Sequence, residues 1–72
     1  MITKLTPQEY EQFKLMVFDR LVLRDRELRR GQSLYNALHT LQPDIANQIC
    51  TTELDPFYQD SRIDAFIEAI KP

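Results

Sequence analysis

Chain breakers are scarce in this sequence, and their positions dictate what it can fold into. One glycine, Gly31, and four prolines, Pro7, Pro43, Pro56 and Pro72, are the strong interruptions in 72 residues. Between them apolar residues recur at three- and four-residue spacing. No stretch alternates with period two over more than a few residues, so the pattern predicts helices and no strands.

The first helix has a clear start. In Thr6-Pro7-Gln8-Glu9 the Thr6 side chain accepts from the Glu9 amide, Glu9 reaches back to the Thr6 amide, and proline takes the first helical position. No breaker follows until Gly31, so this helix is expected to run from Pro7 to between Arg24 and Arg30. Tyr10, Phe13, Val17, Leu21 and Leu28 share one face, and Arg29-Arg30-Gly31 reads as the C-terminus. A second helix fits Gln32 to about Leu41, with Leu34, Leu38 and Leu41 as its stripe and Tyr35 alongside. Pro43 ends it and opens a third, whose face carries Ile45, Ala46, Ile49 and Cys50 and which Thr51-Thr52 close. Asp55-Pro56-Phe57-Tyr58 reads as a cap followed by a tight helical turn. The last helix is expected from Asp60 or Ser61, with Ser61 and Asp64 as a second capping box and Ile63, Phe66, Ile67 and Ile70 as the stripe. The expected fold is all-α: one domain over residues 1–72, a small bundle of about four helices, one long and N-terminal and three short.

Beginning at Met1, the chain reads as a complete small protein, close to the lower size limit for a self-sufficient core. Cys50 is the only cysteine and His39 the only histidine, so neither an internal disulfide nor a Cys/His zinc site can supply a staple. A lone thiol fits a reducing compartment, and the expected location is cytoplasmic. The N-terminus lacks a signal peptide's apolar segment, and the longest apolar run, Leu15-Met16-Val17-Phe18, is too short to span a bilayer.

Catalysis is not expected. His39 has no carboxylate within a helical turn to orient its ring and reads as a helix surface residue. Cys50 extends the Ile45/Ala46/Ile49 face and reads as a buried, inert thiol. A single glycine cannot build a phosphate loop, and the acidic residues are scattered, so no metal, cofactor or small-molecule substrate is implied.

Charge separates two binding classes. Residues 1–30 hold seven Lys/Arg against five Asp/Glu, whereas residues 31–72 hold Arg62 and Lys71 against six acids. Leu34 to Cys50 has the outline of two short helices around a turn, a shape used on DNA, but no Lys or Arg lies between Gly31 and Ser61 to meet phosphates. The cationic run Arg20, Arg24, Arg26, Arg29, Arg30 is interleaved with Asp19, Asp25 and Glu27. Asp25–Arg29 and Glu27–Arg30 have the spacing of ordinary helix-surface pairs. A nucleic-acid-binding regulator using the Arg20–Arg30 face is therefore the alternative to a protein-binding module.

The middle of the first helix favours the protein-binding reading. Leu15-Met16-Val17-Phe18 and Leu21-Val22-Leu23 are contiguous, and four residues in a row sweep most of a helix circumference. Either the helix is central and wrapped by the others, or part of it, notably Phe18 and Val22, is covered by a second copy or another protein. The segment Leu54 to Arg62 carries more aromatic and charged residues than a spacer needs. In the structural reading Phe57 plugs the core, Asp55 and Asp60 cap helices and Arg62 pairs with an acid. In the functional reading Tyr58, Asp60 and Arg62 form an exposed recognition point.

Leu28 to Leu38 followed by Asp55 to Arg62 resembles a pattern, LRxGQxLxNxL … TxxDPFYxDxR … F, of a group of short uncharacterised bacterial and phage proteins. The resemblance spans Leu28 to Phe66 and implies no activity. It implies that Arg30, Gln32 and Asn36 bond to the Asp55–Arg62 loop. The sequence thus reads as a small cytoplasmic protein-interaction module: an inhibitor, an antitoxin-like partner or an accessory protein, acting by surface occupation with a protein partner or a second copy. Its candidate contacts are Phe18, Val22, Arg26, Arg29, Arg30, Tyr58, Asp60 and Arg62.

Overall fold

The computed structural model describes residues 2–20 and 29–72, and in these it is all-helical, with no strand. Four helices follow in order: α1 over Pro7–Asp19, α2 over Arg30–Leu41, α3 over Pro43–Ile49 and α4 over Ile63–Ile70, the last entered through a 3-10 turn at Asp60–Arg62. The expected long first helix is not seen among the described residues: α1 has 13 residues and α2 has 12. Its expected extension, with Leu21, Val22, Leu23 and the Asp25 and Glu27 pairs, lies outside the described residues.

Local rules set the helix starts. The capping box forms in full, Glu9 N donating to Thr6 Oγ1 at 3.2 Å and Thr6 N to Glu9 Oε1 at 2.9 Å. Pro43 opens α3 as expected, because a missing amide costs nothing at a helix's first turn. A one-sided cap, not foreseen, starts α2: Arg29 N donates to Gln32 Oε1 at 3.2 Å, and the Arg29 guanidinium, a donor only, returns no bond to the helix. Arg29, Arg30 and Gly31 thus begin a helix instead of ending one. Gly31 has no positive φ and does not act as a left-handed C-terminal cap.

The core gathers Phe13 from α1, Leu34, Ala37 and Leu38 from α2, Ile45, Ala46 and Ile49 from α3, and Phe66 and Ile70 from α4. Phe13 and Phe66 meet at its centre, 6.2 Å apart and tilted by 54°. Each of the large side chains among them, the alanines aside, contributes about 1.5–3 kcal/mol of transfer free energy. Leu5, which belongs to no helix, is also buried. Its amide donates to Ile70 O at 2.8 Å, and the neighbouring Lys4 ammonium donates to Glu68 O at 3.1 Å and Lys71 O at 3.2 Å. A cation on these orphan carbonyls complements the negative end of α4 and clasps the two chain ends together. In the first turn of α1, Gln42 Nε2 donates to Glu9 Oε2. The backbone bond from Thr6, and then this bond from Gln42, hold the Glu9 carboxyl below its usual range.

Three further expectations are corrected. Cys50 is exposed, because α3 stops at Ile49 and Cys50 turns to extended geometry (φ −51°, ψ 129°), which takes its side chain off the Ile45/Ile49 face. Ser61 does not cap α4: it lies within the 3-10 turn, and the capping position is held by Arg62 with no side-chain bond. Phe57 is half-buried outside the core, and the fully buried residue of that segment is Pro56.

Candidate functional site

The candidate residues fall into two groups. The first forms where the Asp55–Arg62 segment closes over the start of α2. Asp55 is buried and holds the segment through two amides, Thr51 N to Oδ2 and Phe57 N to Oδ1, both at 2.9 Å. Gln59 N then donates to Pro56 O at 3.2 Å, so the expected turn after the cap exists as a single bonded turn. The Pro56 carbonyl comes so close to α2 that a Cβ on Gly31 would lie 2.0 Å from its oxygen. That approach accounts for glycine at this position.

Two contacts lock the closure. Asp60 Oδ1 accepts from Gly31 N at 2.9 Å, placing a carboxylate at the positive end of α2. Arg29 Nη1 donates to Tyr58 O at 2.6 Å. Asp60 therefore caps a helix, although one distant in sequence, and Arg62 donates to Thr52 O at 3.2 Å where an acid was expected. The bonds expected from Arg30, Gln32 and Asn36 to the loop are made instead by Arg29 and Gly31. Tyr58 is 74% exposed although its carbonyl is held. Arg30 is exposed beside this junction.

The second group is on α1. Leu15 is 70% and Phe18 67% exposed. At 100° per residue both point away from Phe13, separated from each other by about 60°. α1 is thus not wrapped around its circumference. Leu15 also lines a groove of about 330 Å³ with Met16, Asp19, Arg20 and Thr40. Arg20 Nη2 donates to Thr40 Oγ1 at 3.3 Å, near the C-terminal end of α2. The Tyr58 junction sits at the other end of that helix, so the two groups are about 15 Å apart along it. Val22 and Arg26 lie outside the described residues. Leu15 was legible only as part of an apolar run. Subtracting the Tyr10/Phe13/Val17 stripe from that run leaves Leu15, Met16 and Phe18, of which Leu15 and Phe18 are exposed.

A third feature was not foreseen. Tyr35, Cys50, Thr51, Asp55, Phe57 and Tyr58 line a cleft of about 220 Å³. Thr51 stands at its edge with φ 64°, a left-handed conformation that threonine rarely adopts, held by its amide bond to Asp55. Burial pushes the Tyr35 phenol up to about 12, with the Cys50 thiol and the Asp55 carboxylate adding to the rise. The phenol donates to Ala46 O at 3.4 Å.

His39 is an exposed residue of α2. Among the described residues no group of three or more His, Cys, Asp or Glu converges as metal ligands would, and no helix is long and apolar enough to cross a membrane. No family model matches the chain, and no curated protein or solved structure does.

Proposed function

We propose that this chain is a small, non-catalytic protein-interaction module of the cytoplasm that works by occupying a protein surface, with Leu15 and Phe18 as its anchors. The observation that carries this reading is the exposure of those two large side chains, one turn apart, on the side of α1 opposite its core residue Phe13. A monomeric domain gains nothing by leaving such a pair in water, whereas an apolar centre bordered by charge is what interfaces are built from. Asp19 and Arg20 provide that border, with the Met16–Thr40 groove beside it. An inhibitor, an antitoxin-like partner and an accessory subunit all use this mode of action.

Sedimentation velocity over a wide concentration range, with and without a Leu15→Ser/Phe18→Ser double substitution, tests the self-associating form. Cross-linking from position 18 in the native host tests a different partner. The expected result is a complex that the double variant loses while its melting temperature is unchanged. A monomer that captures nothing through position 18 refutes the reading. Affinity for duplex DNA that falls steeply with salt would transfer the function to the Arg20–Arg30 segment.

A further inference from the structure

The aromatic cleft has a composition that the α1 surface lacks. Tyr35 and Phe57 stand at 90° with ring centroids 5.7 Å apart, and Phe57 and Tyr58 at 67° and 4.8 Å. Rings at such angles cannot lie as a flat stack. They border the cleft in different orientations, and the face of an aromatic ring carries negative electrostatic potential. The same cleft is lined by Asp55, a residue only 7% exposed. Its two oxygens accept backbone amides, and no Lys or Arg side chain among the described residues forms an ion pair with it. This places a carboxylate at the edge of an aromatic enclosure, its oxygens met by backbone amides, while the nearby Arg29 and Arg62 guanidiniums are directed to the Tyr58 and Thr52 carbonyls. Of all partners, a cation with apolar or planar faces gains most there, because ring faces and carboxylate attract it together.

We propose that the cleft lined by Tyr35, Phe57, Tyr58 and Asp55 receives the guanidinium of an arginine presented by a protein partner. Guanidinium suits it better than ammonium: it is planar, stacks on rings and is weakly hydrated, so it enters an apolar cleft at lower desolvation cost. The proposal rests on the interaction reading only in requiring a protein ligand. It uses a different surface, and each can fail without the other.

The test uses small probes on the intact protein. N-acetyl-arginine amide is titrated while the ring signals of Tyr35, Phe57 and Tyr58 are followed by NMR. N-acetyl-citrulline amide serves as the neutral isostere and N-acetyl-lysine amide as the ammonium. Saturable shifts confined to these rings are expected with arginine, weaker ones with lysine and none with citrulline. Tyr58→Leu keeps bulk but removes a ring face, and at an exposed position it leaves folding intact; it should weaken binding by about threefold or more. Phe57→Leu should do the same, with far-UV circular dichroism confirming its fold. Cys50 gives an independent readout, since a thiol reagent should react with it more slowly when arginine amide fills the cleft. Equal binding of citrulline, shifts scattered over the acidic surface, or undiminished binding in both leucine variants would overturn the proposal. Association through Leu15 and Phe18 should survive Tyr58→Leu, which separates failure of this site from failure of the α1 interface.

Discussion

Replacing Gly31 with alanine should damage this protein, although the change would strengthen an ordinary helix. In an exposed helix interior alanine is favoured over glycine by about 1 kcal/mol. Here the added Cβ would stand 2.0 Å from Pro56 O, 2.9 Å from Pro56 C and 3.1 Å from Asp60 Oδ1. The first two atoms are backbone, and Pro56 is fully buried, so no flexible side chain can swing away. The closure must open by more than an ångström, at a cost of about 1–3 kcal/mol for overpacking. Opening also breaks the bond from Gly31 N to the Asp60 carboxylate, which contributes about 1.5–3 kcal/mol. After the helix-propensity gain, the net loss is about 3 kcal/mol. A domain of this length has a total stability of about 4–11 kcal/mol, so the variant would be marginal. At about 4–8 °C per kcal/mol, the midpoint of a thermal melt followed by circular dichroism at 222 nm should fall by about 10–25 °C. Asp60→Asn keeps an acceptor but loses the charge, and should fall between wild type and Gly31→Ala. A Gly31→Ala melt at or above the wild-type midpoint would show that the Pro56 carbonyl does not sit against α2, and the account of this junction would be wrong.

Four other changes probe the fold by the same logic. Phe13→Ala empties the centre of the core opposite Phe66 and should cost about 3–5 kcal/mol in a urea titration, whereas Phe18→Ala on the exposed side should stay within about 0.5 kcal/mol. Asp55→Ala strands two backbone amides at once and should lose about 3 kcal/mol, more than the loss of about 1 kcal/mol typical of a single helix cap. Because the Tyr35 phenol is raised to about 12 from an ordinary 10, the folded chain keeps a proton that the unfolded chain gives up. Stability should therefore fall as pH climbs from 10 to 12, and Tyr35→Phe should flatten that slope in denaturant midpoints measured across the range.

What the sequence disclosed and what it concealed divide along the range of the interactions. The Thr6 capping box is complete within four residues, and it forms as read. The Phe66/Ile70 stripe depends only on helical period, and both residues are buried. Cys50 went astray because a face argument assumes that helical dihedrals continue, and one extended residue at the end of α3 cancels the assumption. Leu5 carries no periodic signal, since it sits in an extended segment whose register is set by one bond to Ile70. Gly31 was misread for a related reason. Next to two arginines it resembles a helix stop; the Gln32 side chain on Arg29 N starts a helix there instead, and the approach of Pro56 from 25 residues away is what requires the glycine. For the candidate contacts, Phe18 and Tyr58 were legible as large rings without an evident place in the core. For Asp60 and Arg62 the internal partners, Gly31 N and Thr52 O, are backbone atoms that no side-chain pattern reveals.

The internal contacts of the Leu28–Arg62 pattern also narrow where its function can reside. Gly31, Asp55, Pro56 and Asp60 each have a task within the fold: close approach, turn closure, burial and helix capping. Tyr58 differs from them. Arg29 grips its carbonyl at 2.6 Å, and the Asp55 and Pro56 turns fix the backbone beside it, but the residue remains 74% exposed. The fold thereby meets the backbone part of the entropic cost of positioning an aromatic group before any ligand arrives. That is the arrangement in which a ring contributes most to binding, since less ordering is left to oppose the contact. An aromatic residue serving only as a spacer would need no such grip. Tyr58→Ala should accordingly leave the melting temperature nearly unchanged while removing a binding contact, the reverse of what Gly31→Ala should do.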